Sequence, residues 1–568
     1  MHDNMILMRR NALVGIVVTF VLLFATITVS GQQTTPKFSE TTVDPYISAA
    51  SVTRMIYVDD DFNESTPGWH ITRFNTIEDG LEAVPEHGIL YVYNGLYQEG
   101  ELLVDKTISF IGENKQYTIV DGSIGLHDET IKITADHVRM KGFTVKNTRL
   151  FSPAVSILSH HITLASNIID GFAYGVLLDG YMGDTSFTTI TRNEFVSSGI
   201  IINGEQLSLW NTHTITGNTI HGAPLYYYKN SRALQVPSDA GQVIFANCSS
   251  SQVPSLVIPE VPSAIQIGFS HDIIVQQSIF EGRNINWPSI ISTAVFVYHS
   301  QNVILTGNTI SGYYFGLFLQ MTTHSVISEN MISDSTAGFY SYDCTDDTIK
   351  RNMFTHNPDQ GIILSYSTHM VVSNNTIDHS ERGISLLFSA NDNTLIDNVV
   401  SANGYGISLA SACLRNTITK NTITNNGYGV HLFVDSRDNT ISGNIIADND
   451  YGLTFEGAGF NQVFENDIIN NSLCGIQLII HDEYWEQFWS NGNLIYHNNF
   501  MDNTQQAYDE CFNIWNQDLP SGGNYWSDYQ GVDVNPPDGI GDTPYNITGS
   551  EWGNQDRFPF MNPGGWRL

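Results

Sequence analysis

From Asn308 onward one residue returns at a nearly constant interval. Asn308, Asn330, Asn352, Asn375, Asn398, Asn421, Asn444 and Asn466 are separated by 22, 22, 23, 23, 23, 23 and 22 residues. A second series, Gly316, Gly338, Gly361, Gly383, Gly406, Gly429, Gly452 and Gly475, keeps step with it. Self-similarity at a fixed period of this size implies a solenoid or array, in which each repeat buries its apolar side against its neighbours.

Inside the unit the pattern is that of strands. Apolar residues stand two places after the Asn (Ile310, Ile332, Phe354, Ile377, Val400, Ile423, Ile446, Ile468) and three places before it (Leu305, Ile327, Ile349, Val372, Leu395, Ile418, Ile441, Val463). Others follow the Gly at once, from Leu317 to Ile476. These segments are short, rich in β-branched residues and divided by Asn, Gly and Ser. None reaches the 10–12 residues a helix would need. The expected fold is all-β: a single-stranded right-handed parallel β-helix with three strands per 22–23-residue coil. Coils stacked at about 4.8 Å place like residues in columns. The Asn column then forms a hydrogen-bonded amide ladder, and the Gly column is expected to supply corners with positive φ.

The ends and interruptions divide the chain. Residues 1–31 hold Arg9 and Arg10 before an uncharged stretch from Leu13 to Val29, the pattern of a signal peptide or an N-terminal membrane anchor. Residues 32–54 read as a linker, 55–512 as the β-helix and 513–568 as a C-terminal cap. In FNTIEDGLEAV (74–84) the spacing is helical, with Asn75 as a candidate N-cap, so a short helix is expected to cover the first coil. Loop excursions are expected near 222–263, 283–292 and 481–491, the last delaying the next marker to about Asn499. Six of nine Trp lie beyond residue 480, which suits a compact closing cap.

Charge narrows the partners. With 24 Lys+Arg against 58 Asp+Glu the net charge is −34. A nucleic-acid partner is excluded, because phosphate binding needs clustered Lys and Arg. Five cysteines without a C-x-x-C spacing offer neither a disulfide framework nor a thiolate metal site. A leader or anchor places the remainder outside the cytoplasmic membrane, secreted or held at the cell surface. A solenoid capped at both ends protects its strand edges, so a monomer is expected.

Three motifs support a resemblance. IYVDDDF (56–62), the NTITNNGYGV style of repeat, and GNYWSDYQGVDVNPPDGIGDTPYNI (523–547) are similar to NosD-like β-helix proteins of the pectin-lyase-like class. The resemblance covers roughly 55–562, and its C-terminal segment is the most specific part. It implies repeats of the carbohydrate-binding and sugar-hydrolysis type, in a group with many archaeal surface proteins. It also implies the role of NosD itself: copper-site maturation beside a membrane transporter.

Three constellations are candidates for chemistry. Asp533, Asn535, Asp538 and Asp542, with Gly539, form a calcium-like loop, although the third acid and the Gly come one residue later than in an EF-hand. Four places after the marker stand Asp334, His356 and His379 on successive coils. Two imidazoles one coil apart suit Cu or Zn, while such corners are also ordinary polar turn positions. Tyr405, Tyr428 and Tyr451 form an expected stack. Tyr484, Trp485 and Trp489, with Glu483 and Glu486, give aromatic faces and carboxylates in the 481–491 insertion that suit a glycan.

No catalytic residues are assigned. A glycoside hydrolase needs converging carboxylates, but Asp346 and Asp347, as strand neighbours, point opposite ways. A polyuronate lyase needs cations, and residues 301–480 hold six Lys/Arg against 17 Asp/Glu. The basic group Arg139, Lys141, Lys146 and Arg149 is the place such chemistry would occupy. The leading expectation is an exported, non-catalytic β-helix that binds glycan or structures the cell surface. A polysaccharide lyase or hydrolase, and a copper accessory protein, are the alternatives.

Overall fold

The computed structural model describes residues 54–124, 129–147, 152–171, 174–283, 292–483, 486–534, 537–549 and 553–567. The expected leader, nearly all of the linker and nearly all of the 283–292 excursion lie outside the described residues. Among those described, no helix is long and apolar enough to cross a membrane.

The chain winds as a parallel β-solenoid of about 18 turns. Strand Met55–Val58 opens it and pairs in parallel with Ile89–Val92. Helix α1, Ile77–Ala83, follows, but its N-cap is Thr76 and not Asn75. Thr76 is extended (φ −120°), and its hydroxyl accepts the Asp79 N–H. The Glu99 carboxylate accepts the next free donors, Ile77 N–H and Glu78 N–H, at 2.7 and 2.8 Å. A Cβ on Gly80 would lie 2.6 Å from Val58 and 2.8 Å from Leu90, so glycine lets the helix press onto the first coil.

The stretch expected as a loop excursion at 222–263 carries several strands joined by irregular segments. Ala223–Lys229 runs antiparallel to Thr219–Ile220 and then parallel to Gln242–Ala246. Ser249–Val253 and Val257–Pro259 begin the two other faces of the downstream coils. The marker fails here because the ladder passes through other residues. Leu256 N–H donates to the Ser278 hydroxyl, and Ser278 N–H to Asn308 Oδ1.

Downstream the coil is regular. Tyr405–Ala410, Thr417–Thr419 and Thr422–Thr424 are the three strands of one turn, and each pairs in parallel with its counterpart one coil on. Inward residues such as Ile407, Leu409, Ile418 and Ile423 are fully buried. A filled Val/Ile/Leu/Phe column is the main stabilising element. All five cysteines are free and buried.

The marker asparagines are buried and form the expected ladder. In Asn421, the backbone N–H and Nδ2 both donate to Asn444 Oδ1, at 2.8 and 3.0 Å, and Nδ2 also donates to Leu395 O. The ladder continues through Asn466 to Asn498, one residue before the expected Asn499, then to Asn524 and Asp556. Two further ladders share the period. One runs Asn393, Asn416, Asn439, Asn461, Asn493, Asn513. The other runs Asn403, Asn426, Asn449, Asn471, Asn503.

The glycine column has a different cause from the one expected. None of its members, Gly316 to Gly475, has positive φ. They are glycines because coils touch there: a Cβ on Gly406 would sit 2.6 Å from Gly429 O and 2.9 Å from Ile423. The left-handed corners are filled instead by His324, Asp346, His369, Asp392 and Arg415, and by Asp334, His356, His379 and Ala402.

At the far end Phe500, Trp526 and Tyr545 stack at 4.3 and 4.2 Å over the last coil. Asp556 accepts the Trp526 indole N–H and the last ladder N–H, that of Asn524. Asp509 accepts Trp515 Nε1, Asn513 Nδ2 and Asn554 Nδ2. Two buried carboxylates thus end two ladders.

Candidate functional site

The corner four places after the marker brings His356 and His379 together. Their rings stack at 4.5 Å with 4° between planes. Asp334 occupies the same corner one coil earlier (φ 51°) but is not part of the converging group; Asp378 is. One ligand atom from each of His356, Asp378 and His379 lies within 4.8 Å of the others. Strand register explains Asp378: it lies opposite Thr355 on the neighbouring coil, beside the corner.

The hydrogen bonds set the tautomers. Thr355 Oγ1 donates to Asp378 Oδ1 at 2.5 Å and is therefore left to accept from His356 Nδ1 at 2.8 Å. His379 Nδ1 donates to the same carboxylate at 2.9 Å. Both Nε2 atoms then carry lone pairs on parallel, exposed rings. A carboxylate that orients an imidazole through its other nitrogen is the usual outer support of a His–metal bond. Two ligands on one ion at about 2.0–2.2 Å each are at most about 4 Å apart. The donor set is then two imidazoles, with Asp378 behind them, and imidazole nitrogen fits a borderline divalent ion such as Cu(II).

A second converging acid group, Asp59, Asp60 and Asp61, belongs to the IYVDDDF strand end. Asp59 Oδ1 accepts the Asp61 N–H and Asp60 Oδ2 the Leu96 N–H, so the group shapes its own turn.

In the C-terminal loop the described carboxylates are turned onto backbone donors. Asp533 accepts Asp538 N–H and Gly539 N–H, Asp542 accepts Val534 N–H, and Asp538 accepts Ile540 N–H. Asn535 lies outside the described residues.

The aromatic elements fall on the face of the six-residue strands. Tyr405, Tyr428 and Tyr451 stack at 4.8 and 5.0 Å. Their ring faces cover one another. The insertion folds as an antiparallel hairpin, His481–Glu483 with Glu486–Phe488, and Trp489 beyond it is 41% exposed. Tyr484, Trp485 and the side chains of Glu483 and Glu486 lie outside the described residues.

Sequence reasoning missed one polar group on this face. Glu456 lies 3.2 Å from His431 Nε2 and 2.9 Å from His481 Nδ1. Burial pushes its carboxyl up, but the two imidazoles outweigh burial and hold it below the ordinary range. The signal was present: His431 lies two places after Gly429, and Glu456 four after Gly452, diagonal neighbours on adjacent coils. His481 opens the first strand of the hairpin and had no periodic marker.

Comparison with known proteins follows from this architecture. No curated protein matches the chain. Among solved structures it is similar to the periplasmic alginate epimerase AlgG, at 14% identity over 67% of this chain and 75% of that one, with a TM-score of 0.31. It is also similar to an exopolygalacturonase from Thermotoga maritima, at 12% identity over 56% and 82%, TM-score 0.33. A Dettilon tailspike protein aligns at 14% identity over 70% and 68%, TM-score 0.30. At such identities and scores these likenesses say nothing of activity. The family model described as periplasmic copper-binding protein (NosD) matches residues 243–432 and 387–531. Those matches together span just over half of the chain, including the marker asparagines from Asn308 to Asn524 and the His356–His379 corner, and the chain belongs to the NosD family.

Proposed function

We propose that this protein is an extracytoplasmic β-helix that holds copper at the corner formed by His356, Asp378 and His379. The observation that carries the reading is the pair of stacked, exposed imidazoles whose Nδ1 atoms are engaged and whose Nε2 atoms are bare. The family's description as periplasmic and copper-binding supports both the metal and the compartment. Imidazole nitrogen is a donor for Cu(II), and a carboxylate behind the ring orients it. The acidic surface, at a net charge of −34, favours approach of a cation.

The test is Cu(II) titration of the purified chain with electron paramagnetic resonance. One ion per corner with two-nitrogen coupling is expected, weakened at least tenfold by His356→Ala with His379→Ala. Unchanged affinity and coupling in that double variant would remove the site.

A second reading is glycan binding on the tyrosine face. Its support is the Tyr405–Tyr428–Tyr451 ladder beside Glu456 and the exposed Trp489. A polysaccharide panel tests it: retention lost on Trp489→Ala supports binding, and released oligosaccharides would make the protein a hydrolase or lyase instead.

A further inference from the structure

One face of the solenoid turns an apolar, uncharged column to solvent. It is built from the short third strand of each coil, from Val257–Pro259 to Ile445–Ala447. The middle residue of each strand enters the core, and its two neighbours point away. Val257, Ile279, Met331, Met353, Val399 and Ile445 stand in one column, with threonine at its three other places and every step in register. All six are between 40% and 62% exposed. Single exposed apolar side chains are ordinary, but six in one column form a continuous stripe. On the neighbouring face, by contrast, Ile304, Val326 and Val371 of the same coils are half-buried.

Charge says what can cover the stripe. Among the described outward residues of this face, from Val257 to Ala447, only Glu281 and Asp378 are charged. The chain as a whole carries −34. Two copies therefore repel over most of their surfaces and meet at least cost where charge is missing. Area agrees. Eight coil steps of about 4.8 Å make the face about 38 Å long, and a three-residue strand with its corners is roughly 15 Å wide. Each copy then offers about 600 Å², and a pair buries about 1,200 Å², above the roughly 1,000 Å² that a specific interface needs.

Symmetry fixes the direction. A two-fold interface sets the same patch against itself. Laid parallel, two copies would oppose Glu281 to Glu281 and Asp378 to Asp378. Laid antiparallel about Met353, they bring Val257 to Ile445, Ile279 to Thr422 and Thr309 to Val399. Glu281 then faces Thr424, and Asp378 faces Ser333, so no two acids meet. We infer that the protein is an antiparallel dimer, joined face to face through this stripe with Met353 on the two-fold axis. The caps protect strand edges, which is why a monomer was expected; the stripe is a separate surface that they leave open. The inference is independent of the copper reading and uses none of the corner's imidazoles.

Sedimentation equilibrium of the purified chain tests it. The expected result is a monomer–dimer equilibrium in the micromolar range. Added salt should tighten it, because screening removes the repulsion and leaves the apolar contact. Met331→Glu with Met353→Glu should raise the dissociation constant at least tenfold, with circular dichroism and a thermal melt to check the fold. Crosslinking supplies the direction, since all five native cysteines are buried. On mild oxidation Met353→Cys should link to its own copy, and Ile445→Cys should link to Val257→Cys but not to itself. A monomer at every concentration and salt, or a dimer that the Glu substitutions leave unchanged, overturns the inference. So does a monomer that binds phosphatidylcholine vesicles or cellulose through the stripe, and Ile445→Cys linking to itself overturns the antiparallel arrangement.

Discussion

Asp347 stands at a ladder position that Asn393, Asn416 and Asn439 hold on later coils. It is fully buried, accepts Ser325 N–H at 2.6 Å and takes the Thr322 hydroxyl at 2.6 Å. Burial raises its carboxyl from the ordinary 3.8 to about 6, and Asp556 at the ladder end is raised in the same way to about 6. A buried carboxyl raised in this direction contributes stability below its unfolded pKa, and that contribution is lost as pH rises through the folded value. Each shift of about two units corresponds to roughly 3 kcal/mol between pH about 4 and 7. Asp347→Asn should therefore be more stable than the parent at pH 7.5 and show a smaller loss of stability from pH 4.5 to 7.5. Urea midpoints at the two pH values check it, and an unaltered pH dependence would count against it. The substitution also restores the amide that the ladder uses elsewhere. At this scale the marker series was legible because a buried amide needs its partner one coil away. The other two Asn ladders lie in the same period, five places either side of the marker.

The glycine column belongs to the scale of the element. Periodic glycine in the sequence admits two explanations, a left-handed corner or a close approach, and backbone position decides between them. Here adjacent six-residue strands bring each glycine against the next carbonyl oxygen. Gly406→Ala places a Cβ 2.6 Å from Gly429 O, where backbone must move. It should lower stability by about 1–3 kcal/mol, as overpacking does, read from a urea transition of the full chain. A transition unchanged from the parent would mean the coils separate without penalty. The corners show the reverse case. Positive φ is carried by His, Asp, Arg and Ala side chains that point to solvent, so chemistry-bearing residues gather in exposed columns. That is why His356 meets His379 and His137 meets His161.

At the scale of the whole molecule the caps decide whether a solenoid is a soluble protein. Helix α1 covers the first coil, and Trp515, Trp526 and the two acids Asp509 and Asp556 close the last. Removing residues 513–568 would uncover Phe500 and leave Asn493 and Asn498 without their acceptors on Asn513 and Asn524. Exposed parallel edges pair with other chains. The truncated chain should aggregate at concentrations where the full chain stays monodisperse, measured by light scattering. Monodisperse behaviour of the truncated chain would show that the cap is dispensable.

The period, strand pattern and solenoid class were determined by the sequence alone, because a repeat that stacks on itself must place like residues in columns. The run of hydrophobic positions named its core directly. Tertiary structure decided what a one-dimensional pattern does not contain: which neighbours a column meets sideways. Asp378 joins His356 and His379, in place of Asp334, through strand register. Glu456 joins His431 and His481 because it lies opposite Phe433 on one neighbouring coil and Ile479 on the other, two places from each histidine. Through the stretch 222–263 the ladder runs by way of Leu256 N–H and Ser278 before it reaches Asn308. Periodicity records contacts along the solenoid axis; contacts around its circumference depend on coil geometry, and only the folded chain supplies that.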